Sequence, residues 1–212
     1  MTYWEKAARI LAWTGFVIGA SAVCLQFTQT IPSSMAAGRS LPLSILFFFA
    51  FFTILTNIAA ALCLAGQVLP LKALAFFRDR RNSGGVASAM TVVLITYHFM
   101  LSHLYAFEGL NLLCDRLMHY VMPTITILWW LASATGETAW KRALVWLIYP
   151  LVYVVLVYVR WTFVGEVPYP FLDPAMGAQK LAVSIAGMLT LFVVAAFATV
   201  AADKAMARVK RV

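Results

Sequence analysis

Six stretches of this chain carry no Asp, Glu, Lys or Arg: 10–38, 40–71, 82–107, 117–136, 143–159 and 181–202. A helix crossing the hydrocarbon core of a bilayer needs about 20 mostly apolar residues, with about 17 to 25 as the usual range. Each stretch reaches that length alone or with a flanking residue or two. A segment immersed in lipid must satisfy its own backbone hydrogen bonds, so runs of this length form helices. Strands of a membrane barrel would be about half as long and would alternate in polarity; no such alternation is present. Composition agrees: 63% of residues are hydrophobic and 11% charged, where a soluble domain carries about a quarter charged. The expectation is an all-α integral membrane protein, a single six-helix bundle over the whole chain with spans near 8–27, 42–66, 86–107, 113–134, 143–163 and 179–202.

Lys6 and Arg9 before the first run and "SSMAAG" after it resemble a secretory signal. The apolar part exceeds the roughly 7 to 15 residues of a signal core, so it is expected to stay as the first helix. Cys24, Cys63 and Cys114 lie in or beside the apolar runs without paired spacing and read as apolar filler.

The net charge of +8 does not point to nucleic acid, because the positive residues follow a threading pattern. Lys6, Arg9, Lys72, Arg78, Arg80, Arg81, Lys141, Arg142, Lys204, Arg208, Lys210 and Arg211 fall on one side of a chain that crosses six times. Arg39, Arg116, Arg160 and Lys180 fall on the other. The positive-inside bias then predicts cytoplasmic N and C termini. The loops are short, except the link after the fifth run, "RWTFVGEVPYPFLDP", whose prolines and aromatics predict a stiff segment folded back over the bundle.

Polar side chains inside such runs need partners or a purpose. Thr53, Thr56 and Asn57, in "FFTILTN", are spaced i, i+3, i+4 and project from one helix face. On this segment alone interhelical hydrogen bonding, worth roughly 1 kcal/mol per pair, is the first explanation for them, ahead of function. In the third run His98, Ser102 and Tyr105 form a second polar stripe, with His103 on another face. In "DRLMHYVMP", Pro123 stands four residues after His119, so the His119 carbonyl loses its helical donor. Thr53 near the middle of its run and His119 near the edge of its own would differ by roughly 10 Å in depth. An earlier start of the fourth helix, with Asp115 and Arg116 buried as a pair, and a tilted second helix would close that gap.

A hydroxyl facing an imidazole permits nucleophilic ester cleavage, with the histidine accepting the hydroxyl proton and returning it to the leaving alcohol. Asn57, one turn from Thr53, is a candidate oxyanion donor, and Asp173 and Asp115 are candidates to orient the histidine. This chemistry calls for no metal or other cofactor. Two other readings use the same residues: haem ligated by His103 and His119, and a transport or structural role. The absence of charge at mid-membrane and of an evident pair of broken helices speaks against transport.

"FFTILTN", "LMHYVMP" and "YPLVYVVLVYVRWTFVGEVPYPFLDP" together resemble the androgen-induced-gene and androgen-dependent TFPI-regulating membrane protein family, in particular its bacterial branch. The resemblance spans nearly the whole chain. It implies a multi-pass protein of the cell membrane, in bacteria the inner membrane. It also implies a threonine hydrolase of lipid esters, whose animal members cleave fatty acid esters of hydroxy fatty acids. Thr53 takes the place of the family threonine and His119 that of the family histidine, while Phe52 stands where many relatives have tyrosine. Tyr149, Pro150, Tyr153, Arg160 and the stretch 168–173 match the third motif. Tyr153 is a substrate-contact candidate there, as His98 is from the third run. Arg160 is expected either to attract a lipid carboxylate or head group or to anchor its helix at the interface.

Overall fold

Each apolar run becomes helix, and the places where the helices fail prove more informative than the helices themselves. The computed structural model describes residues 1–210; Arg211 of the basic tail lies outside them. The helices are α1 (Tyr3–Ala36), α2 (Leu41–Phe48), α3 (Phe52–Val68), α4 (Ala75–Arg78), α5 (Arg80–Thr96), α6 (Gly109–Arg116), α7 (Met122–Ala132), α8 (Lys141–Trp146), α9 (Ile148–Val164) and α10 (Ala178–Val209). Among the described residues all regular structure is helical. Four continuous helical segments are long and apolar enough to cross a membrane, and a fifth follows if the bent pair α2–α3 is one span. That is the pattern of a multi-pass membrane protein.

Three expected spans change. The single helix over 42–66 is instead α2 and α3, set at 71° to each other across a break at 49–51. The third span ends in a π turn, Tyr97–Leu101, so Tyr105 lies outside the helix and does not continue a stripe with His98 and Ser102. The fourth begins earlier than 113, at Gly109, and passes through a second π turn, Leu117–Val121, before α7. That segment carries Asp115, Arg116 and His119 and is not among those apolar enough to count as spans.

α1 packs on α3 and α7 through small residues, with Ala12, Gly15, Gly19 and Ala22 all buried. A Cβ on Gly19 would come within 2.6 Å of Met122 Cε, so a larger residue there would push the Met122 side chain aside. Close backbone approach through small residues is how helices gain packing energy where lipid removes the hydrophobic driving force.

The two ends of the bundle are tied by different ionic clusters. At one end Asp203, fully buried, accepts hydrogen bonds from the Arg80 guanidinium (2.5 Å) and from the backbone N–H groups of Thr135 (3.0 Å) and Thr138 (3.1 Å). Arg80 also stacks over Trp130 and donates to the Ser133 carbonyl. The start of α1 joins this end, where Lys210 lies 5.5 Å from the Trp4 ring. At the other end Glu166 bridges Arg39 (2.9 Å) and Arg160 (3.3 Å). Burial alone would raise the Glu166 carboxyl, but the two arginines outweigh it and hold the group below its ordinary 4.5. A depressed carboxyl contributes stability above its unfolded value and loses it as pH falls through the folded one. Unfolding midpoints of wild type should therefore drop as pH is lowered below that value, more than those of Glu166→Gln. Parallel pH profiles for the two proteins would contradict the assignment.

Candidate functional site

The break at 49–51 contains neither Gly nor Pro, so its unpaired backbone groups must be met from elsewhere. Tyr153 of α9 meets two of them: its hydroxyl donates to the Ala50 carbonyl (2.9 Å) and accepts from the Phe52 N–H (3.2 Å). Tyr169, from the 165–177 link, accepts from the Thr53 N–H at 3.2 Å. The rings pack edge-on beside the break, Phe51 on Tyr169 and Phe52 on Tyr153, with centroids 5.8 and 5.0 Å apart. The third-motif link does fold back over the bundle, with Pro168, Tyr169 and Leu172 buried there. Burial holds the Tyr169 phenol above its ordinary value, so it stays protonated and able to donate.

This break changes what Thr53 can do. A threonine inside a membrane helix ordinarily bonds back to its own helix. Thr56, Thr91, Thr126, Thr190 and Thr199 all donate to the carbonyl four residues back. For Thr53 that carbonyl belongs to Phe49, beyond the break, and the Ala50 carbonyl is taken by Tyr153. The Thr53 hydroxyl is left beside the Tyr169 hydroxyl at 3.4 Å, a long contact. It is a half-buried hydroxyl in the first turn of α3, where aligned peptide dipoles favour developing negative charge.

His119 sits on the second π turn. Its Nδ1 lies 3.0 Å from both the backbone carbonyl and the Oδ1 of Asp115, one turn earlier. Carbonyl and carboxylate only accept, so Nδ1 carries a hydrogen, and in the neutral imidazole Nε2 then holds the lone pair. Asp115 is buried and accepts a 2.6 Å hydrogen bond from the Tyr97 hydroxyl; Tyr97 stacks on the His119 ring with centroids 3.8 Å apart. The expected Asp115–Arg116 pair does not form: Arg116 is exposed and lies over Tyr120. The two π turns thus deliver Tyr97 and His119 to each other, and Asp115 receives both.

Asn57 is not free to serve an oxyanion. Its two amide hydrogens go to the Thr53 carbonyl (2.9 Å) and the Met118 carbonyl (3.1 Å). In a π turn each N–H reaches the carbonyl five residues back, so Pro123 withdraws its donor from Met118 rather than from His119. Asn57 supplies the missing hydrogen. Its role is to bind α3 to the His119 segment.

Thr53 and His119 line one cavity of about 360 Å³, with Tyr97, Asp115 and Tyr169 also in its wall. The break puts Thr53 in the first turn of α3, and the fourth span starts early, at Gly109. The other sequence candidates lie elsewhere. His98 is exposed, 3.3 Å from the Tyr120 hydroxyl, and His103 is exposed in the turn that follows; neither lines the cavity that holds His119. Arg160 is engaged by Glu166 and lines a separate groove. Asp173 caps a short 3₁₀ turn by accepting from the Ala175 N–H at 2.8 Å and does not line the cavity that holds His119. No protein-family model, curated protein or solved structure matches the chain.

Tyr97 and Tyr169 escape the sequence reading altogether as site residues. Asp115 had a signal that could have singled it out over Asp173: it stands four residues before His119, the spacing at which two side chains share a helix face.

Proposed function

We propose that this protein is an intramembrane esterase that hydrolyses long-chain lipid esters, with Thr53 as nucleophile and His119 as its general base. The chain crosses the membrane six times, the broken pair α2–α3 and the α6–α7 segment each forming one crossing, with both termini cytoplasmic. The observation that carries the reading is the cavity shared by an uncommitted threonine hydroxyl and a histidine whose Nε2 is free to take a proton. Asp115 orients the imidazole and stabilises the imidazolium that forms. Tyr169 replaces Asn57 as the hydrogen-bond donor to the oxyanion, assisted by the N-terminal end of α3. The resemblance of the three motifs makes fatty acid esters of hydroxy fatty acids the first substrates to try, and the bacterial inner membrane the expected location.

The break in the second span revives one argument for transport, since half-helix ends often bind solutes. The Asp115–His119 pair beside a free hydroxyl favours acyl transfer instead. Purified protein in detergent should be labelled at Thr53 by a long-chain fluorophosphonate, and His119→Ala should lose both labelling and ester cleavage. Unchanged cleavage in His119→Ala would sink the proposal, as would labelling confined to other residues.

A further inference from the structure

Thr53 does not belong to one cavity alone. A second, of about 70 Å³, lies on its other side. Thr53, Tyr97, Leu101 and Tyr169 line both, so the hydroxyl stands on the seam between them. The two differ in chemistry. The larger carries His119, Asp115, Asn111, Gln26 and Thr30; no charged side chain lines the smaller, whose walls include Val93, Val154, Ile185, Met188, Leu189 and Phe192. α9 and α10 both contribute side chains to the wall of the smaller cavity, and their backbones do not pack closely on each other.

An ester at Thr53 has a cavity on either side for its acyl and alcohol arms, which diverge from the carbonyl carbon. The direction follows from the proton. As the Thr53 oxygen attacks the carbonyl carbon, its proton passes to His119 Nε2. When the bond to the alcohol breaks, that proton must reach the departing oxygen, which requires His119 within hydrogen-bond distance of it. His119 lines the larger cavity only. The alcohol therefore leaves through the larger, polar cavity, and water that later hydrolyses the acyl–Thr53 ester arrives by the same route. His119 takes a proton from that water and the restored Thr53 hydroxyl regains it.

We infer that the smaller cavity between α5, α9 and α10 is an acyl-chain site, taking the unbranched hydrocarbon arm of a fatty acyl ester and passing longer chains out between α9 and α10. This rests on the esterase reading above. It separates the two determinants of specificity: α10 selects the acyl chain, and the α1, α6 and loop residues around Asn111 and Gln26 select the alcohol.

Two substrate series test it: p-nitrophenyl esters from acetyl to hexadecanoyl, and octanoyl esters of alcohols of increasing size. Leu189→Trp should lower kcat/KM for the hexadecanoyl ester by about tenfold or more relative to the acetyl ester, leaving the ranking of alcohols within about twofold of wild type. The acetyl ester reports whether the variant folds. Wild-type protein supplies a second measurement, a fluorophosphonate with a diazirine at the chain end. Its photo-crosslinks should map to Ile185, Met188 or Leu189. Crosslinks to Gln26 or Asn111, or an unchanged acyl ranking in Leu189→Trp, would overturn the acyl site while wild-type cleavage and Thr53 labelling leave the esterase standing. Wild-type protein that neither cleaves esters nor labels at Thr53 would overturn both.

Discussion

Replacing Thr53 by alanine should lower ester turnover by about a thousandfold or more, with Thr53→Ser retaining measurable activity. The loss follows from what the hydroxyl is not doing. Five other helical threonines, Thr56, Thr91, Thr126, Thr190 and Thr199, spend their hydroxyl protons on their own backbone, while Thr53 has the break where an acceptor would be. Its removal therefore takes no helix hydrogen bond with it, and folding should be unaffected. Thr56→Ala is the matched control. That hydroxyl bonds the Phe52 carbonyl at 2.7 Å and the Tyr149 hydroxyl at 2.9 Å, so its loss should cost stability while leaving a Thr53-dependent rate. Turnover by Thr53→Ala within about tenfold of wild type, in protein that has kept its fold, would remove the threonine from the chemistry.

The largest stability effect is expected at the opposite end of the molecule. Asp203→Ala should destabilise the protein by about 3–5 kcal/mol, the range for breaking a buried charge pair from one side. Asp203 is fully buried and gathers three hydrogen bonds, from Arg80, Thr135 and Thr138. Its removal strands the Arg80 charge against Trp130 and leaves two backbone N–H groups without their acceptor, each a further desolvation cost. The cluster joins the end of α10, the start of α5 and the link from α7 to α8, so the loss should appear as a lower midpoint in detergent unfolding. Asp203→Asn keeps an acceptor and should lose less. An Asp203→Ala protein with the wild-type midpoint would show that the cluster is solvated in practice.

The membrane character of the chain was legible from charge-free runs because lipid forces long apolar segments to be helical. The break in the second span was not. "FFFAFF" contains no helix breaker, and the groups that stabilise the break, the hydroxyls of Tyr153 and Tyr169, lie about a hundred residues away in sequence. Pro123 did announce a defect near His119, but a π turn moved the orphaned carbonyl by one residue, to Met118, and Asn57 was drawn into meeting it. The polar face of "FFTILTN" thus divides: Asn57 and Thr56 hold helices together, and Thr53 is the one left over. Thr53 and His119 could be singled out by their chemistry. Their neighbours Tyr97, Asp115 and Tyr169 depend on contacts between distant segments.

The most direct measurement is an experimental structure of the protein after reaction with a long-chain fluorophosphonate. The account predicts a covalent adduct on Thr53 Oγ1, a phosphonyl oxygen within hydrogen-bond distance of the Tyr169 hydroxyl, His119 Nε2 facing the adduct, and the alkyl chain between α9 and α10. An unmodified Thr53, separated from His119 by packed side chains, would contradict it.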